Sequence, residues 1–156
     1  MTMSESHRPA STGARVLVVD DQLSMAETIA DGLLDRGYHA VPMASSRQAA
    51  TVLERDDFDA LVTDLRMPQL DGLGLLAISR KTNPNRPVIV MTAYSAIDTA
   101  IESIRQGAYH YMTKPFKVEE LVLFLEKALD EAKLRREAIV LRRALRDRFG
   151  LESLIG

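Results

Sequence analysis

Five side chains in this sequence could do chemistry together: Asp20, Asp21, Asp64, Thr92 and Lys114. They close short apolar runs, with VLVV before the aspartate pair, ALVT before Asp64, VIVM before Thr92 and YHYMT before Lys114. Three carboxylates brought to one place repel one another, which raises at least one pKa unless a cation neutralises them. An oxygen-only donor set, with no Cys in the chain and no His beside it, favours Mg²⁺, which keeps several waters and needs few protein ligands. Lys114 adds a fixed positive charge and Thr92 a hydroxyl, a receptor suited to a doubly charged phosphoryl group carried by one carboxylate. Singly, each residue has an ordinary explanation: an Asp at a strand end turns the chain, a Thr in a strand packs, a Lys before Pro is solvated. Five collected at strand ends outweigh those explanations.

The elements that must position them alternate. Strand-like runs RVLVV, HAVPM, ALVT, PVIVMT and YHYMT are separated by helical patterns from Arg15 onward. In the first of these, Ser24 and Glu27 have capping-box spacing, and Ala26, Ile29, Ala30 and Leu33 repeat at i, i+3, i+4, i+7 before Gly37. Similar patterns predict helices over residues 46–54, 73–81 and 97–106, the last with Ile97, Ala100, Ile101 and Ile104 on one stripe. Strand and helix in alternation predict an α/β fold, a doubly wound parallel sheet of five strands with helices on both faces. In such a sheet the usable crevice lies beyond the carboxyl ends of the strands, where all five residues fall.

The last helix is different, because no Gly or Pro interrupts residues 117–149. Val118, Leu121, Leu125, Ala128 and Ala132 follow 3,4 spacing, and the stripe then shifts to Leu134, Ala138, Leu141 and Leu145. This suits a helix that leaves its own domain to pair with another as a coiled-coil-like linker over residues 131–150. The competing readings are a single solvated helix and, for Arg142, Arg143, Arg146 and Arg148, a nucleic-acid patch. No aromatic or recognition-helix context supports the latter.

The 156 residues suffice for one core, and the net charge of −2 disfavours a binder relying on overall positive charge. Residues 131–150 carry seven basic and three acidic side chains, so the charge is uneven. Without cysteine there are no disulfides, thiolate zinc sites or thiol nucleophiles, and an intracellular, cytoplasmic protein is expected. The longest apolar run, Leu121 to Leu125, is far short of the roughly 18 residues a membrane span needs, so no membrane contact is expected. Residues 1–13 read as a loose polar tail.

These residues resemble the receiver domains of two-component response regulators. The matching segments are VLVVDD at 16–21, VTDLRMPQLDG at 62–72, VMTAYS at 90–95 and GAYHYMTKPF at 107–116. The resemblance covers about residues 14–130 and implies a flavodoxin-like sheet in strand order 2-1-3-4-5. It implies that Asp64 is the phosphoacceptor, fed by the phosphohistidine of a sensor histidine kinase. Asp21, Asp64 and the backbone carbonyl of Arg66 would bind Mg²⁺, with Asp20 acting largely through water. Lys114 would pair with the phosphoryl group. Thr92 would shift to bond its oxygen, letting Tyr111 rotate inward and altering the face of the fourth helix, fifth strand and fifth helix. Such a protein phosphorylates and dephosphorylates itself and is not a turnover enzyme. Pro115 would follow a cis peptide bond that helps aim Lys114, and Met67, Pro68 and Gly72 would shape the loop after the phosphoacceptor. Arg66 and Tyr94 would tune phosphate lifetime, and Tyr109 and His110 would sit at the output face. His7 and His39 have no partner to complete a metal site.

The ending LRDRFGLESLIG is similar to the junction where sigma-54-dependent enhancer-binding activators pass from linker helix into an AAA+ ATPase. No G-x-x-x-x-G-K-[ST] occurs, so no P-loop is expected in this chain. Residues 151–156 then read as the start of an output domain, and the whole as a regulatory segment of the nitrogen- or dicarboxylate-regulator type. Such a segment would dimerise through the linker helix, the fourth-helix to fifth-helix face, or both, with no DNA contact of its own. The alternatives are a pseudo-receiver that never takes phosphate and a receiver with a different output domain. A Mg²⁺-dependent aspartyl phosphatase is disfavoured, because its usual second Asp is Arg66 here.

Overall fold

The computed structural model describes residues 13–155, with the side chains of Tyr94 and of residues 149–155 excepted; the expected tail, Gly13 apart, and His7 within it lie outside the described residues. Five strands run β1 (Arg15–Val19), β2 (His39–Met43), β3 (Ala60–Asp64), β4 (Val88–Ala93) and β5 (His110–Lys114). They pair in parallel in the order 2-1-3-4-5. Helices α1 (Leu23–Leu34), α2 (Ser46–Arg55), α3 (Gly72–Thr82), α4 (Ile97–Arg105) and α5 (Val118–Ile155) connect or follow them. The expected flavodoxin-like architecture is therefore observed. Pro42 lies within β2, which an edge strand tolerates because one side of its backbone needs no ladder partner.

Alternation along the central strands divides the core in two. Val16, Val18, Val62, Ile89 and Met91 face α1 and α5, where Ile29, Leu33, Leu121 and Leu125 cover them. Leu17, Val19, Leu61, Val88 and Val90 face the other way, under Leu53 of α2, Leu75 and Leu76 of α3 and Ala100 of α4. Central strands buried on both faces are what a doubly wound sheet requires.

Two local expectations need correction. The Ser24–Glu27 capping box does not form: Gln22 is the N-cap of α1 and makes no side-chain cap hydrogen bond. Its own N–H donates instead to Asp20 Oδ1 at 3.0 Å, so the strand-end carboxylate organises the turn that the serine was expected to organise. The last helix also does not stop near Gly150 but runs on to Ile155. One glycine costs a helix about 1 kcal/mol, too little by itself to end it.

α5 is 38 residues long, about 57 Å at 1.5 Å per residue. Leu121, Leu125, Ala128, Leu129 and Ala132 are buried on the sheet, whereas residues 133–148 are exposed or half-exposed throughout. Among the described residues, packing on the sheet thus ends at Ala132, where a polar contact takes over. Asn85, between α3 and β4, donates from Nδ2 to the Ala132 carbonyl at 2.9 Å and accepts from Arg135 Nε at 2.9 Å. Asn85→Ala removes both hydrogen bonds and is expected to lower stability by about 1 kcal/mol in denaturant unfolding, with no loss of fold.

Candidate functional site

The carboxyl edge of the sheet assembles the residues singled out above. Asp20 follows β1 and is almost wholly buried at 1% exposure, Asp21 beside it is exposed, and Asp64 closes β3 half-buried. One oxygen from each of the three carboxylates lies within 4.8 Å of the others. Lys114, at the end of edge strand β5, reaches over the end of β4 to bridge two of them. Its Nζ is 2.6 Å from Asp20 Oδ2 and 3.5 Å from Asp64 Oδ2. The Leu65 N–H holds the other Asp64 oxygen, Oδ1, at 3.0 Å. Three carboxylates facing one ammonium leave an excess of negative charge in an all-oxygen set, which fits a hard divalent cation.

Burial is the largest influence on Asp64 and pushes its pKa above the ordinary 3.8; Lys114 opposes this and the Asp20 charge adds to it. The Lys114–Pro115 peptide bond is cis, as the resemblance implies.

Thr92 is also at this edge, paired in register with Thr113 and buried. Its hydroxyl donates to the Ala93 carbonyl at 3.2 Å and makes no hydrogen bond to the three carboxylates among the described residues. Tyr111 is half-buried on the same side of the sheet as Thr92, packed against the α2–α4 side of the core. Arg66 is exposed and forms no ion pair with the cluster among the described residues; it borders an open cleft of about 510 Å³ shared with Met67, Pro68 and Thr99. Tyr109 and His110 turn to α5: the His110 ring lies 4.2 Å from that of Phe124, and Tyr109 hydrogen-bonds Glu131, with burial the main cause of its raised pKa. His39 is exposed at the start of β2.

The loop after Asp64 holds features that the sequence pattern did not reveal. Asp71 caps α3, its Oδ1 accepting the Gly74 N–H at 2.8 Å. Gly72 is needed for space and not for a turn. A Cβ there would collide with the Asp64 carbonyl oxygen and stand 2.7 Å from Leu65 Cα. The loop folds back so closely because the Gly72 N–H donates to the Leu65 carbonyl at 2.8 Å. The residue that takes a left-handed conformation is Gln69, with φ of 71°. An Asp-Gly pair seven and eight residues after a strand-end aspartate was the available signal.

The response regulator receiver domain family matches residues 16–135. The chain belongs to this family. The receiver is 38% identical over 138 residues to a putative NtrX-like response regulator of Rickettsia felis, covering 87% of this chain and 29% of the relative. It resembles the structure of NtrX from Brucella abortus in complex with ADP, with a TM-score of 0.79 and 33% identity over 83% of this chain and 30% of that one. The beryllofluoride-activated NtrC4 receiver domain dimer matches with a TM-score of 0.71 and 35% identity over 76% of this chain and 98% of that one. The receiver chain spans less than a third of the length of the first curated relatives it matches.

Two outcomes are expected from this geometry. Gly72→Ala forces backbone apart and should destabilise the receiver by about 1–3 kcal/mol in denaturant unfolding. A carboxyl whose pKa is higher folded than unfolded penalises the native state once ionised, so stability is lost as pH rises through the folded value. Metal-free Asp64→Asn is therefore expected to melt above the parent protein at pH 8, with the gap closing as pH falls through the folded pKa of Asp64.

Proposed function

We propose that this receiver takes a phosphoryl group on Asp64 from the phosphohistidine of a sensor kinase and passes the signal to a transcription-activating output domain. The observation that carries this reading is the setting of Asp64: Oδ1 is held by the Leu65 N–H, and Oδ2 lies 3.5 Å from Lys114 beside two further carboxylates. In the transfer, the donor's P–N bond breaks as a P–O bond forms to Asp64, and the imidazole leaves. Asp21, Asp64 and the Arg66 carbonyl would hold Mg²⁺, with Asp20 through water, and the ion when bound supplies charge neutralisation between carboxylates and phosphoryl oxygens. Lys114 exchanges part of its pairing with Asp20 and Asp64 for a phosphoryl oxygen. The chain's own part is to orient Asp64 and balance charge, which supports self-phosphorylation and autodephosphorylation, not turnover.

The switch we infer runs through Thr92 and Tyr111. Thr92 would exchange its hydrogen bond to Ala93 for one to the phosphoryl group, vacating space that Tyr111, on the same side of the sheet, enters. That would alter the face of α4, β5 and α5, where Ile101 and Ile104 are exposed. The NtrC4 receiver, a dimer when beryllofluoride-activated, supports a dimer here too. So do Leu134, Val140 and Leu141, each more than 60% exposed along α5. We assign residues 14–130 to the receiver, 131–150 to a dimerising linker, and 151–156 to the start of an output domain of the sigma-54-dependent activator class, supported by the NtrX-like relatives. On this reading the protein acts in the cytoplasm and the segment itself touches neither DNA nor membrane; among the described residues no helix is long and apolar enough to cross one.

Acetyl phosphate with Mg²⁺ should give acid-labile labelling of the parent protein that Asp64→Asn abolishes. Thr92→Ala and Tyr111→Ala should still label yet lose any phosphorylation-dependent change in dimer affinity, read by light scattering. Undiminished labelling of Asp64→Asn would move the phosphoacceptor elsewhere, and an unlabelled parent would leave a pseudo-receiver.

A further inference from the structure

The opposite end of the sheet holds a second polar site. Ala14 precedes β1, Phe58 and Asp59 precede β3, and Arg86 lies just before β4; with α5 laid across them they enclose a cleft of about 220 Å³. We propose that this cleft binds a small phosphate-type oxyanion, held by Arg86 of the receiver together with Lys133 and Arg136 of α5.

Arg86 is the central observation. It is only 5% exposed, and a guanidinium so deeply placed must have its donors and its charge met. Nε donates to the Phe58 carbonyl at 2.9 Å, and Nη1 is shared between Ser79 Oγ at 3.1 Å and Thr82 Oγ1 at 3.2 Å. The third arm, Nη2, has no hydrogen-bond partner among the described residues, yet it is not sealed from solvent. Burial is the largest influence on the Arg86 pKa and pulls it below the ordinary value; Asp57 and Asp59 oppose this from a distance, but no carboxylate comes within ion-pair range of Arg86 among the described residues.

The other walls point the same way. Lys133 has only a 3.9 Å contact to Glu137 along the helix, and Arg136 has no ion pair among the described residues. Asn83 spends its side-chain oxygen on the Asn85 N–H at 3.1 Å, which leaves its amide NH₂ as a further donor. The one lining carboxylate, Asp59, is already engaged by the Arg15 N–H at 2.8 Å through Oδ2. Three cations and an amide donor around one carboxylate make a receptor for a compact anion with several acceptor oxygens. The volume falls below the roughly 300–1,000 Å³ of ordinary ligand pockets, which suits phosphate or a short phosphomonoester and excludes a nucleotide.

The proposal is independent of phosphorylation at Asp64, which lies at the far edge of the sheet. Lys133 and Arg136 stand immediately beyond Ala132, so an anion bridging them to Arg86 would tie the root of the linker to the receiver.

The test is a calorimetric titration of the full chain in EDTA with inorganic phosphate, at ionic strength held constant with chloride. Saturable binding is expected in the parent and in Asp64→Asn alike. Lys133→Gln with Arg136→Gln should weaken it at least about tenfold, equal to roughly 1.4 kcal/mol. These two side chains are exposed, so the variant keeps its fold, and its melting curve checks this. Glycerol phosphate in a parallel arm separates free phosphate from a phosphomonoester by which binds tighter. The proposal fails if nothing saturates up to roughly 20 mM, well above a millimolar Kd. It fails equally if the double variant binds as the parent does, or if Asp64→Asn abolishes binding.

Discussion

An ammonium shared between carboxylates at one edge of a sheet is the constraint on which this receiver depends. Asp20 is buried, and a buried carboxylate needs hydrogen-bond and charge partners. Lys114 at 2.6 Å and the Gln22 N–H at 3.0 Å provide them. Everything about the strand order serves that contact. β1 and β3 are neighbours, so Asp20, Asp21 and Asp64 arrive together, and β5 must lie on the β4 side for Lys114 to close over them. A strand shifted by one residue would send its terminal side chain to the opposite face. The register of the apolar core and the geometry of the acidic cluster are therefore one requirement.

The two-sided core separates what the chain does at each face. α1 and α5 cover one side, and α2, α3 and α4 the other. Thr92 and Tyr111 belong to the second side, while His110 and Met112 on the same strand turn to the first. β5 thus carries the site lysine at its end, Tyr111 on one face and anchors for α5 on the other. A change felt by β5 has a short path to both.

Strand ends were legible in the sequence because each apolar run stops at a residue whose type is unsuited to a core. The pattern located Asp20, Asp64, Thr92 and Lys114, and the segments around them carried the resemblance. What stayed hidden depends on pairs distant in sequence. Ser24 and Glu27 had the right spacing for a cap, but Asp20 reached the turn first. The need for glycine at position 72 comes from the Asp64 carbonyl, eight residues away, and cannot be read from the loop alone. Arg86 carries no signal in the sequence, since nothing in its neighbours announces the Phe58, Ser79 and Thr82 oxygens that draw it inward. Gly150 offered a stop signal that the helix passes through.

The unbroken passage of α5 from the sheet into solvent has a mechanical consequence. Its last buried residue among those whose burial is described is Ala132, and the 23 helical residues beyond it extend about 35 Å. A tilt of roughly 10° at that fulcrum would sweep the far end through about 6 Å, more than one helical turn. Motions at the receiver too small to break any core contact would therefore be magnified at the distal end of the rod, without any rearrangement along its length.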